Sequence, residues 1–169
     1  MAISMYQTSV ATFIPMLGNL IAILEKGAAF AESRKLDPAV LPALRLFPDM
    51  LPLSRQIQIA TDNAKGCAAR LAGQQPPAFE DNEKTLPELI ARLRKTIDYL
   101  NGFSAAQIDG SEDRDIALKV GSHALQFKGE AYLLTFALPN FYFHVTTAYN
   151  ILRHGGVDIG KGDFLGKIQ

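Results

Sequence analysis

The chain of 169 residues has no tryptophan, one cysteine and three histidines, and neither charge is in excess. The lone cysteine, Cys67, excludes an internal disulfide and suits a reducing compartment. Seventeen Lys and Arg side chains balance 17 Asp and Glu, which argues against a dedicated nucleic-acid binder. The histidines lack the H-x-x-x-H and H-E-x-x-H spacings of helical zinc sites. Nucleotide-binding glycine loops and the G-x-S-x-G elbow are absent too. What remains is 48% hydrophobic and 20% charged, the composition of a globular chain with a sizeable core. The length fits a single domain, residues 1–169.

Charge is also missing from Ala2 to Leu24, a run long enough to cross a bilayer. Gln7, Asn19, Pro15 and Gly18 interrupt it, and no Lys or Arg precedes it, so it lacks the basic flank of a secretory signal. It reads as a buried helix of a soluble cytoplasmic protein. Phe13, Leu17, Leu20 and Leu24 recur at helical spacing within a segment from Ser4 to Ser33, which Pro15 should bend. The proline-rich stretch Leu36–Pro52 reads as a short helical turn near Ala39–Leu46 and a connector.

A second long helix is expected from Pro52 to Gly73, with Leu53, Ile57, Ala60, Ala64, Ala68 and Leu71 inward. The loop Pro76–Lys84 is polar and acidic. Thr85-Leu86-Pro87-Glu88 is a capping box that opens a third helix, and Asn101-Gly102 closes it. The period then changes. Ile116–Val120 and Leu125–Lys128 alternate around Gly121-Ser122, which predicts a β-hairpin. A shorter turn at Glu130–Phe136 precedes a last helix, Leu138–His154, and the tail Val157–Gln169 reads as irregular. The expected class is an all-α four-helix bundle with a small β-hairpin before its last long helix.

Few polar residues fall on the inward faces. Asn140, His144, Thr147 and Ile151 share one helical face, and Gln56 interrupts the apolar stripe of the second helix. Asp49, in the connector, is placed to reach the mouth of the bundle. Gln56, Asn140 and His144 read either as a hydrogen-bonded core network that sets helix register or as a ligand or metal site. His144 and His154 are ten residues apart on one helix, about 15 Å in rise, so they cannot share a metal. His123 falls in the hairpin turn, and His154 suits the negative end of the last helix. Cys67 reads as a small core residue. Phe141, Tyr142 and Phe143 point about 100° apart, which suits a central helix or one at a subunit interface.

The stretch Leu138-Pro139-Asn140-Phe141-Tyr142-Phe143-His144-Val145-Thr146-Thr147-Ala148-Tyr149-Asn150-Ile151-Leu152-Arg153-His154 carries a resemblance, as does the tail Gly160–Gly166. With Phe47–Met50, Gln56 and Ala69–Gly73, it resembles an uncharacterised bacterial domain-of-unknown-function family allied to the DinB/YfiT-like bundles. The resemblance implies a DinB/YfiT-like four-helix bundle, commonly dimeric. It also implies a divalent metal, zinc or nickel, held in many relatives by one histidine of the second helix and two of the last. Matching on Leu152-Arg153 places His144 at the second last-helix ligand and Asn140 at the first. Gln56 or Asp49 then falls near the second-helix ligand. At most one of the three histidines is retained here. The expectation is a soluble homodimer with a polar pocket around His144 that takes a small molecule. The alternative is a metal-dependent enzyme, thiol transferase- or hydrolase-like, with an atypical ligand set drawn from Asp49, Gln56, Asn140 and His144.

Overall fold

The computed structural model describes residues 4–167, the side chain of Val120 excepted. Four long helices form the bundle: α2 (Val10–Ser33), α4 (Leu53–Leu71), α5 (Leu86–Leu100) and α8 (Leu138–His154). The short helices α1 (Met5–Thr8) and α3 (Val40–Ala43) lie before and after α2. The first helical segment is therefore broken once, at Ser9, whose hydroxyl bonds back to the Met5 carbonyl at 2.6 Å. Val10, Phe13, Leu17, Leu20, Leu24 and Gly27 alternate at intervals of three and four and are buried, so one stripe of this apolar helix faces the core. Pro15 lies inside α2 on its exposed side, beside exposed Ala11, whose carbonyl loses its helical donor there and faces water. By length and composition Met5–Ser33 would also suffice to cross a membrane.

Helix α4 starts after Pro52, and its inner face is small: Ala60, Ala64, Cys67 and Ala68 are fully buried. Small side chains let α4 sit between α5 and α8, its main packing partners. The capping box of α5 is present, with Thr85 accepting from the Glu88 amide and Glu88 accepting from the Thr85 amide at 2.9 Å. The acidic loop before α5 is held by Arg92, which is 3% exposed. Its guanidinium donates to the Thr61 hydroxyl at 2.7 Å and the Glu80 carbonyl at 2.9 Å, and it pairs with Asp62, Asp81 and Glu83 at 3.0–3.1 Å.

The hairpin forms as expected, β1 (Asp115–Val120) against β2 (His123–Lys128), with Leu118 opposite Leu125 and Ile116 opposite Phe127. A short capped helix, α6 (Ala105–Ile108), precedes it. Beyond β2 the chain approaches the preceding loop so closely that a Cβ on Gly129 would collide with the Ser111 carbonyl. Helix α7 (Gly129–Ala131) leads into a π-helical segment, Tyr132–Ala137, and on into α8. The widened turn has a cause in the sequence. Pro139 has no N–H for the Thr135 carbonyl, and its ring crowds that carbonyl.

The tail corrects the sequence reading. Instead of an irregular end it forms α9 (Lys161–Leu165), docked on α2. Asp163 accepts from the Gly160 amide at 2.8 Å and pairs with Lys26 at 2.7 Å, while Asn19 donates to the Phe164 carbonyl at 3.1 Å. Lys26 and Asn19 lie more than a hundred residues from these partners, so no local pattern announced the docking.

Candidate functional site

Helices α4 and α8 run side by side in opposite directions, which sets Gln56 of one against His144 of the other. Both are buried, at 1% and 8% exposure. The His144 Nδ1 and Gln56 Oε1 atoms are 2.7 Å apart, and Gln56 Nε2 donates to the Leu51 carbonyl at 2.9 Å. The second bond decides the first. A carbonyl only accepts, so the Gln56 amide must turn its NH2 to Leu51 and its oxygen to the ring. His144 therefore carries its proton on Nδ1 and keeps a lone pair on Nε2 in the neutral form. Burial disfavours the charged ring and holds the His144 pKa below its ordinary value. The exposed Phe143 ring stands edge-on to it, with centroids 5.3 Å apart.

Asn140 lies one turn before His144 and Ile59 nearly one turn after Gln56, about 4.5–6 Å along the two axes. Both line a pocket of about 270 Å³ between α4, α8 and the hairpin. Its polar lining is Asp62, Asn63 and Arg70 of α4, Lys119 of β1, and Tyr132 and Asn140 of the π-helix and α8. Arg70 donates to the Tyr132 hydroxyl at 3.1 Å. Burial raises the Tyr132 pKa, so that hydroxyl stays protonated. Among the described residues, the buried Oδ1 of Asn63 has no hydrogen-bond partner.

Of the four residues singled out in the sequence, Gln56 and His144 are in direct contact. Asn140 is half-buried at the neighbouring pocket. Asp49 sits exposed in the turn where the Met50 amide bonds the Phe47 carbonyl, and no hydrogen bond links it to the other three. His123 and His154 are exposed. Cys67 is buried, and desolvation pushes its thiol pKa far up, so it is inert as a nucleophile at neutral pH. Among the described residues, no three His, Cys, Asp or Glu side chains converge as a metal-binding group.

Asn63 and Arg70 were missed by the sequence reading, although a signal was present. Gln56, Asn63 and Arg70 are spaced by seven, two full turns, and so form one polar row along α4. Lys119 and Tyr132 carry no such mark, because the hairpin and the π-helix bring them in from outside any single helical face.

A helical bundle with a small hairpin is the fold this chain shares with a DinB-like protein. The chain belongs to the family described as Domain of unknown function (DUF1993), which it matches over residues 5–165. It is similar to a DinB family member protein from Shewanella denitrificans of known crystal structure, with 43% identity and a TM-score of 0.86. That likeness covers 96% of this chain and 92% of the other. No curated protein matches.

Proposed function

We propose that this protein binds a small molecule in the polar pocket between α4, the hairpin and α8, without a three-histidine metal centre. The polar lining of that pocket carries the reading: Asn140, Arg70 and Lys119 border one space of about 270 Å³, while His144 and Gln56, around which the pocket was expected, lie outside its lining. The hydrogen bond between His144 and Gln56, itself oriented by the Leu51 carbonyl, fixes α8 against α4 one turn from the pocket.

The residues at the superfamily's ligand positions do not fit a zinc or nickel ion. Such an ion takes about three protein donors even in an open site. Both polar atoms of Gln56 are already engaged, Asn140 is a neutral amide, and Asp49 is exposed on the connector, where no three His, Cys, Asp or Glu side chains converge among the described residues. Only His144 remains as a strong donor.

Three features of the expected protein belong to this proposal. It is soluble and cytoplasmic, supported by the burial of the apolar stripe of α2 in the bundle. It does not bind nucleic acid, supported by the balanced charge. It pairs with a second copy, supported by the exposed Phe143 ring on α8.

The test uses protein purified without a metal-affinity tag. Elemental analysis is expected to find less than about a tenth of a metal per chain, with no gain after adding zinc, nickel or manganese. A thermal-shift screen of small polar metabolites is expected to return binders whose shift is lost in Asn140→Leu. About one metal per chain, protecting the fold against heat, would favour the metal-dependent enzyme and overturn this reading.

A further inference from the structure

The pocket carries an uneven charge. Arg70 and Lys119 line it, and neither forms an ion pair with a carboxylate among the described residues. The one acid in the lining, Asp62, is already paired with Lys65 at 2.8 Å and Arg92 at 3.0 Å. The field that reaches a ligand is therefore positive. A guanidinium with free N–H groups is matched in shape by a carboxylate, which it grips through two parallel bonds. The buried Asn63 oxygen lacks a donor, and Asn140 adds a second amide to the lining. At about 270 Å³ the space falls just below the range of drug-sized pockets, roughly 300–1,000 Å³, so the occupant is small.

The placement of Arg70 is built in. Its side chain folds back over Gly66, four residues earlier, so that a Cβ there would meet the guanidinium. A glycine inside a helix costs stability relative to alanine, about 0.5–1 kcal/mol. Here its missing side chain lets the guanidinium lie against the helix, where the Tyr132 hydroxyl accepts from it. Gly66 is thus a positioning residue for the charge.

We propose that this pocket binds a short carboxylate bearing a hydrogen-bond donor next to the acid group, such as a 2-hydroxycarboxylate. Arg70, held by Gly66 and Tyr132, takes the carboxylate, Lys119 adds charge from the hairpin, and Asn63 accepts from the donor. The proposal rests on the pocket reading above and names the chemical class that fills the pocket.

Calorimetric titration of the full chain tests it, with L-lactate as the probe. Propionate lacks the donor and lactamide lacks the charge. L-lactate is expected to bind, propionate at least about fivefold more weakly, and lactamide not detectably. Arg70→Gln should abolish lactate binding, and Lys119→Met should weaken it. Gly66→Ala should weaken it at least about tenfold while leaving Tm equal or higher, because alanine favours the helix and only a flexible side-chain end must move. That variant answers the objection that Arg70→Gln merely misfolds. No lactate binding, or binding unchanged in Arg70→Gln and Gly66→Ala, overturns the proposal. If a neutral compound binds instead and is lost in Asn140→Leu, the carboxylate class fails and the pocket reading stands. If nothing in the screen binds, both fall.

Discussion

At the scale of single residues, the informative groups are the buried polar ones. His144 in the folded chain resists protonation, because burial penalises the ring's charge. In the unfolded chain it titrates near its ordinary 6.5. The stability it confers as a neutral group is complete above that value and is lost as pH falls from there through the lowered folded value. Each pH unit in that window takes up to about 1.4 kcal/mol. Urea midpoints of wild type and His144→Gln should therefore converge between pH 7 and pH 5. A gap that stays constant would mean the ring is not held neutral. Ser111 gives a second expectation. Its hydroxyl is buried without a partner among the described residues, at 1% exposure for the residue. Ser111→Ala is expected to leave stability within about 0.5 kcal/mol or to raise it, since no bond is broken and a desolvated group is removed.

At the scale of elements, the loop between α4 and α5 behaves as part of the core. It is polar and acidic, and by composition alone it would be a mobile connector. Arg92 instead gathers Asp62, Asp81, Glu83 and the Glu80 carbonyl around one buried guanidinium. The Phe79 ring is covered by the Lys65 and Lys95 ammonium groups at 4.0 and 4.1 Å. Removing the guanidinium strands several acids together. Arg92→Met should cost about 3 kcal/mol, at the low end for a buried charge network because Asp62 and Asp81 keep access to water. The loop should then become the first site of limited proteolysis. If Arg92→Met keeps wild-type stability and protease resistance, the clamp is decorative. The cap at Thr85 shows the opposite case, an element boundary written within four adjacent residues and read correctly from them.

At the scale of the whole molecule, the described surface leaves Phe47 and Phe143 exposed at 63% and 56%, with Leu51 at 43%. Leu51 and Phe143 flank the hydrogen-bonded pair of Gln56 and His144, so the apolar rim and the polar pair lie together. Light scattering in dilute solution is expected to return twice the chain mass, and Phe143→Ser should shift it toward the monomer. A monomer at all concentrations removes the homodimer from the proposed function.

The sequence by itself determined the bundle, because helical stripes, caps and the strand period are set by neighbours within a few residues. It also held the row Gln56, Asn63 and Arg70, spaced by seven and visible before any folding. It marked His144 and Gln56 as inward polar residues, and their meeting across 88 positions follows only from α4 and α8 lying antiparallel. Tertiary structure alone decided the rest: the bond from the His144 ring to the Gln56 oxygen, which fixes the ring's proton, and the docking of α9 on α2. Each depends on groups distant in sequence being brought within 3 Å or so of one another, a distance that packing sets and periodicity does not encode.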